Sequence, residues 1–427
     1  MINEATRLFI QEHCHEDLQQ TALKYSKTDN GVDMPMALQQ IAGWQTACSK
    51  LPSWAARQEI IYPIHLSMEQ CSGEATARYK AKVARRWIEE HGIRGPLAMT
   101  DLTGGFGVDF TLMAPLFDCA TYVEHNSSLA AIVEYNLKVM QLQNAQAICA
   151  DATDHLHNMA PVTVLFADPA RRDQHGNRTF AIEDCTPNVK ELKPLLMKKA
   201  HMIMLKLSPM LDWRKAVTDM APYVSQVHIV SVNNECKELL LLMEHPNGQV
   251  DTEMEHRGIR LVCHGERIDS RGNSTGIMEE EFSSTRQQQG RPDITQLQLE
   301  GMYLYEPDAA WMKAGLFELM EQQWGMAQLS PNSHLFISNT YQPSFPGRHF
   351  AVIRTCTMGK DLKKTMQDVS QANITVRNFP LSVSDLRKRL RIKEGGNTFI
   401  FATTLWNKSK VLLFCERLGD GFRHMTH

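Results

Sequence analysis

Apolar and polar positions along this chain change period near residue 97. Before about residue 92, apolar side chains recur at three- and four-residue spacings, as in "ALQQIAGWQTACSKLPSW" and "GEATARYKAKVARRWIEEHG". That spacing predicts amphipathic helices, stopped at Pro52 and Gly92. From Leu97 short strand-type runs alternate with helical ones: "LAMTDLT", "ATYVEH", "AQAICAD", "VTVLFADP", "HMIMLKLSP", "SQVHIVSVN" and "ELLLLME". Strands separated by helices need crossover connections, so the block to about residue 245 is expected to form a mainly parallel sheet with helices on both faces.

After that block, "MEHRGIRLVCHGER" predicts a hairpin or edge strand, and "DSRGNSTGIMEEEFSSTRQQQGRPD" has the turn-rich, polar composition of a boundary. "MYLYEP" then reads as a strand and "DAAWMKAGLFELMEQQWG" as one helix. The remainder is β-rich and closes on "NTFIFATTLWNKSKVLLFCERL", two strands about a short turn. The expected organisation is a helical region at 1–92, a doubly wound α/β domain at 93–270, a small α+β unit at 271–331 and a C-terminal unit at 332–427.

The length of 427 residues agrees with several domains rather than one core. Hydrophobic content of 43% with 22% charged residues describes a globular chain, and no segment approaches the ~20 apolar residues of a membrane span. The acidic, amphipathic start "MINEATRLFIQEHCHEDLQQ" lacks the basic opening and apolar run of a secretory signal. Ten cysteines without a C-x-x-C pair read as reduced thiols, so a cytoplasmic location is expected. "HCHED" is read as a polar helix face rather than a ligand set, because side chains two apart on a helix diverge, and no metal is expected. A net charge of -3 leaves any nucleic-acid partner to a local basic patch.

Candidate chemistry starts at "TDLTGGFGVDF". Asp101 ends a strand, Thr103, Gly104, Gly105 and Gly107 form a turn, and a helix follows. Glycines allow positive φ and close approach of a ligand to the backbone, and the helix start presents unpaired N–H groups. Glu124 ends the second strand about twenty residues on, where a carboxylate suits ribose hydroxyls, and Asp151, with Ala152 beside it, ends the third. The G-x-G-x-x-G fingerprint of dinucleotide sites is not met, since Phe106 and Phe110 occupy the needed positions. An acid just before the glycines also suits a cationic ligand better than a pyrophosphate. These features resemble the cofactor site of class I methyltransferases that use S-adenosyl-L-methionine.

In such enzymes the fourth strand ends in the substrate-facing acid, which matches Asp168 in "FADPARRD". Pro169 would stiffen the turn, and Arg171 and Arg172 would suit an anionic acceptor. Ala170 and Arg171 depart from the second proline and the aromatic of adenine-directed methyltransferases. Lys206 ends the fifth strand in "LKLSPML". Cys236, in the connection after the sixth strand, reads as an inert thiol. Glu74, Arg78 and Lys80 read as a solvated helix face with i, i+4 pairing of Glu74 and Arg78, the alternative being that this helix leads to the sheet and closes the pocket from above.

The motifs "DLTGGFGVDF", "FADPARRD", "LKLSPMLDW", "NNECKELLL" and "LRKRLRIKEGG" together resemble a family of bacterial class I methyltransferases. The resemblance implies a Rossmann-like α/β catalytic sheet followed by small α+β C-terminal domains, one ferredoxin-like (271–331) and one THUMP-like (332–427). THUMP domains are RNA-binding, so RNA (tRNA or rRNA) is the implied partner. "SVSDLRKRLRIKEGG" predicts a helix capped by Ser382 that offers Arg387, Lys388 and Arg391 to phosphate, with Lys206 as a further RNA contact. A protein or small-molecule acceptor, or an RNA-binding scaffold without catalysis, is the alternative reading.

Overall fold

The structure, a computed structural model, describes residues 2–25, 31–171, 182–245, 258–282, 298–359 and 362–424. It divides into two units. The first comprises Met1–Val232, Lys237–Arg260 and Ile268–Thr275; the second comprises Asn233–Cys236, Leu261–Arg267 and Gly276–His427.

The first unit opens with helices α1 (Glu4–His13), α2 (Leu18–Tyr25), α3 (Met34–Lys50), α4 (Pro52–Ala55), α5 (His65–Gln70) and α6 (Glu74–Glu90). Strands β1 (Ala98–Asp101), β2 (Cys119–Glu124), β3 (Ala145–Cys149), β4 (Val162–Ala167), β5 (Ala200–Leu207), β6 (Val224–Val232) and β7 (Glu235–Glu244) follow. Helices α7 (Val108–Met113), α8 (Ser127–Val139), α9 (Ala152–Asn158), α10 (Val189–Lys199) and α11 (Trp213–Met220) connect them. Across the sheet the strands run β6-β7-β5-β4-β1-β2-β3. The pairs β3/β2, β2/β1, β1/β4 and β4/β5 are parallel, and β7 is antiparallel to β5. The order reverses between β1 and β4, so a crevice opens at the carboxyl ends of these two strands. Asn233 and Asn234, both at positive φ, join β6 to β7 as a two-residue hairpin turn.

One core holds the helical region and the sheet together. Trp54, Tyr62, Tyr79, Val83 and Trp87 from the N-terminal helical region pack with Met99 of β1, Met202 and Met204 of β5 and Leu240 and Leu242 of β7. The alternate residues of β5, Ile203 and Leu205, are buried too, as expected of a strand covered on both faces. The phenyl ring of Phe106, in the glycine turn, lies 4.7 Å from Trp54 and 6.3 Å from Tyr62 between ring centroids. Gly43 lets α3 close on this group, since a Cβ there would sit 2.3 Å from Tyr62 Cβ.

The strands Arg260–Ile268 (β8) and Ser274–Phe282 (β9) are joined by a tight turn in which Asp269 Oδ1 accepts from the N–H groups of Arg271 and Asn273. The polar stretch expected as a boundary is therefore a five-residue turn, 269–273, followed by a strand, while its second half lies outside the described residues. The mixed side chains of "STGIMEEEF" hid that strand, because its ordering comes from main-chain pairing as much as from apolar alternation.

The second unit is built on a seven-stranded sheet. Its strands are β10 (Tyr303–Pro307), β11 (Ala327–Gln328), β12 (Phe336–Ser338), β13 (Gly347–Thr357), β14 (Asn373–Arg377), β15 (Thr398–Thr404) and β16 (Lys410–Asp420). They run β11-β12-β10-β13-β16-β15-β14. Only β14 and β15 are parallel, and the helix between them, Val383–Leu390, makes the crossover. Alternation along β16 separates two cores: Val411, Leu413 and Cys415 join Leu304 and Phe350 in one, and Leu412 and Phe414 join Leu386 and Leu390 in the other. The single helix expected over 308–325 is two, Ala309–Ala314 and Phe317–Trp324. Gly315 and Gly325, both left-handed, end one each.

Trp54→Ala is expected to lower the stability of the first unit by about 3–5 kcal/mol, because it opens a cavity against Phe106 in the shared core. Denaturant unfolding followed by intrinsic fluorescence measures this. A loss below about 1 kcal/mol would mean that the helices and the sheet do not form one cooperative core.

Candidate active site

The glycine turn is fastened on three sides. Leu102 N–H donates to Phe166 O of β4 (3.0 Å), Gly104 N–H to Val123 O of β2 (2.9 Å), and Gly107 N–H back to Gly104 O (2.8 Å). Gly105 and Gly107 take positive φ, +54° and +77°, and Gly107 is the residue from which α7 starts. Gly104 does not; it is glycine because a Cβ there would lie 2.0 Å from the ring of Tyr122. Tyr122 in turn donates its hydroxyl to Gly105 O. Phe106 faces the core, so the one side chain inside the G-G-x-G run anchors the turn to the N-terminal helices.

Acids gather around the turn. Asp101 is 1% exposed and accepts from Thr103 N–H at 3.0 Å. Burial pushes its carboxyl well above the ordinary value; the Thr103 hydrogen bond opposes this, and the charges of Asp109, Asp168 and Glu124 reinforce it. Glu124, also buried, accepts Gly105 N–H on Oε2 (3.0 Å) and Asn126 N–H on Oε1 (2.8 Å), with the exposed His125 at 3.0 Å. Oε2 keeps a second acceptor position after the main chain has taken one, while Oε1 also faces His125. Asp151 caps α9, accepting from Thr153 and Asp154 N–H at 2.7 and 3.1 Å, with Ala152 as the first helical residue. Glu124 and Asp168 are thus both within electrostatic reach of Asp101, and Asp151 stands at the end of the next strand.

On the acceptor side, Asp168 N–H donates to Thr103 Oγ1 (2.6 Å), which ties the end of β4 to the glycine turn. Asp168 Oδ2 receives Lys206 Nζ at 2.5 Å. Lys206, expected to reach for phosphate, therefore spends its ammonium on Asp168 and, at 4.0 Å, on Asp109. Burial alone would push the Lys206 ammonium down, but Asp168, Asp109 and Glu238 outweigh it and hold the group above the ordinary lysine range. Pro169 is buried; Arg171 sits in a short strand paired with Cys185, and Arg172 lies outside the described residues. A cleft of about 520 Å3 reaches Asp168, Lys206 and Ser208 from the side of α5 and α6.

The solvated face expected for Glu74, Arg78 and Lys80 is corrected in part. Glu74 and Arg78 do pair at 2.9 Å, but Glu74 is buried and Lys80 is wholly buried. Lys80 Nζ meets Glu238 at 2.6 Å and Asp109 at 3.0 Å, and Ser72 donates to Asp109 Oδ2 at 2.7 Å. Sequence reasoning missed Asp109, Ser72 and Glu238. One signal was available: Lys80 interrupts the apolar stripe Ala77, Ala84 and Trp87, and a charge in such a stripe needs buried partners.

The expected basic helix, Val383–Leu390, forms with Ser382 as its cap, which accepts from Asp385 N–H at 3.1 Å. Lys388 and Arg391 are exposed, while Arg387 is mostly buried, with Glu394 at 3.5 Å. Among the described residues no His, Cys, Asp and Glu cluster has metal-site geometry, and no helix is long and apolar enough to cross a membrane.

Asp101→Asn is expected to raise the melting temperature at neutral pH. The wild-type carboxyl holds its proton more tightly folded than unfolded, so stability drains away as pH rises from the ordinary aspartate range through the raised folded value. Asparagine imitates the protonated form, and its advantage should grow as pH rises above the ordinary aspartate range. Paired thermal melts check this; an advantage that shrinks as pH rises would contradict the charge environment described.

Residues 303–346 match the family described as a ferredoxin-like domain, and residues 347–417 the family described as THUMP domain-like. Two uncharacterized S-adenosylmethionine-dependent methyltransferases from strains of Mycobacterium tuberculosis are each 22% identical over 332 residues, 77% of this chain and 80% of theirs. A solved structure from Porphyromonas gingivalis W83, described as a methyltransferase, superposes with a TM-score of 0.80 at 27% identity and covers 98% of this chain and 100% of its own. In strand order and in both C-terminal modules the chain is similar to class I S-adenosylmethionine-dependent methyltransferases that carry ferredoxin-like and THUMP-like domains.

Proposed function

We propose that the first unit binds S-adenosylmethionine over the glycine turn and methylates an RNA that the second unit holds through its basic helix. The observation that carries the cofactor half is Glu124, a buried carboxylate pinned by two main-chain N–H groups and left with acceptor capacity for ribose hydroxyls. Asp101 suits the cationic end of the cofactor, because a buried carboxyl that resists ionisation gains most from an arriving positive charge. Thr103, Gly104, Gly105 and Gly107 supply the close backbone surface, and Asp151 with the first N–H of α9 at Ala152 suits the base.

When bound, S-adenosylmethionine supplies a methyl group on a sulfonium centre, open to in-line attack by a lone pair. The task left to the protein is placement. Asp168 is tied to the cofactor turn through Thr103, so acceptor and cofactor are referred to one rigid element. Lys206 fixes Asp168 Oδ2, which leaves Oδ1 to accept a hydrogen bond from the attacking group and to steer its lone pair. Support for RNA comes from the THUMP-like match together with exposed Lys388, Arg389 and Arg391 on one short helix. A cytoplasmic site of action fits the ten free cysteines.

Calorimetric titration with S-adenosylhomocysteine should show binding that Glu124→Gln weakens at least about tenfold, ~1.4 kcal/mol. A change below about twofold would remove Glu124 from the cofactor site. Tritiated S-adenosylmethionine, incubated with RNA from a strain lacking the gene, should label that RNA. Lys388→Glu combined with Arg391→Glu should reduce the labelling and flatten its salt dependence. Label entering protein or small molecules instead would sink the RNA reading.

A further inference from the structure

Lys80 has no solvent-exposed surface, so its charge has to be met within the protein. Its Nζ lies 2.6 and 2.7 Å from the two oxygens of Glu238, 3.0 Å from Asp109 Oδ1 and 3.3 Å from Ser72 Oγ. Asp109 is shared between two lysines at unequal distances: its other oxygen is 4.0 Å from Lys206 Nζ, whose short contact is Asp168 at 2.5 Å. Charges therefore alternate along one chain, Glu238, Lys80, Asp109, Lys206, Asp168, from helix α6 to the acid at the end of β4. Burial pushes the Asp109 carboxyl up, but Lys80, Lys206 and the Ser72 hydroxyl more than offset it and keep it ionised.

An ionised Asp109 competes with Asp168 for Lys206, and that competition is decided by whatever else neutralises Asp109. We infer that Lys80 is a positioning residue for methyl transfer: by taking up the charge of Asp109 and Glu238, it leaves Lys206 to hold Asp168 in place. The N-terminal helical region then belongs to the catalytic apparatus through a residue that touches neither cofactor nor acceptor. The inference rests on the methyltransferase reading above, but its geometric core can be tested without turnover.

Lys80→Met should leave S-adenosylhomocysteine affinity within about twofold of wild type and lower kcat on the RNA substrate at least about tenfold. Its crystal structure should show Lys206 Nζ drawn from Asp168 toward Asp109 or Glu238. The triple variant Lys80→Met/Asp109→Asn/Glu238→Gln removes the competitors together with Lys80 and should recover most of the lost turnover. Normal kcat in Lys80→Met, or Lys206 unmoved in its structure, would overturn the inference. A folded triple variant as slow as the single one would overturn it too, since the loss would not act through Lys206. If Lys80→Met does not fold, the triple variant decides alone: Lys206 on Asp168 with turnover recovered supports the inference, and lost turnover refutes it. If no RNA is methylated by the wild-type protein, the RNA reading fails, and the position of Lys206 in the variant structure still decides this one.

Discussion

The ring of Tyr122 occupies the place where any side chain on Gly104 would have to go. Much of the site follows from that contact. Because residue 104 carries no Cβ, the loop after β1 drops onto β2 far enough for Gly104 N–H to reach Val123 O and for Gly105 O to take the Tyr122 hydroxyl. The same descent brings Gly105 N–H to Glu124. The turn is thus held by hydrogen bonds along its whole length, and its two positive-φ glycines bear conformations that most residues would resist. Phe106 converts this local geometry into a tertiary one, since the side chain between those glycines is clamped by Trp54 and Tyr62.

Much of this was legible in the sequence. Period changes gave the helical region, the strand and helix alternation and the parallel sheet, because a two-sided buried sheet leaves uninterrupted apolar runs such as those of β4 and β5. The glycine turn and its strand-end acids were legible for a related reason: motif residues lie close together along the chain, and their roles depend on local backbone geometry. The charge chain was not. Lys80 and Glu238 are 158 positions apart and meet only after folding, so neither spacing nor composition joins them. Strand β9 escaped because its side chains are mixed, and the break at Gly315 because a glycine within a helical pattern can be tolerated or can end the helix.

Electrostatics divides the first unit's site into two parts with different logic. Around the glycine turn, carboxyls stand without cations close by, and Asp101 is left reluctant to ionise. Beside it, Asp109 and Asp168 are each matched by a lysine. Thr103 spans the boundary, since its N–H serves Asp101 and its hydroxyl receives Asp168 N–H. One residue therefore links the acid suited to the cofactor with the acid suited to the acceptor, and the spacing of the two does not depend on a flexible side chain.

The seven-stranded sheet of the second unit runs across the junction between the two recognised modules. Strand β10, in the ferredoxin-like stretch, pairs along its length with β13, in the THUMP-like stretch, and Glu306 of β10 holds Arg348 of β13 and Arg377 of β14. Cutting the chain between residues 346 and 347 would strip β13 of one of its two partners and bare an unpaired sheet edge. The two modules therefore form one structural piece. A gene fusion or a deletion that took only one of them would yield a sticky fragment rather than a portable domain, and lineages that keep this C-terminal sheet should keep both halves of it.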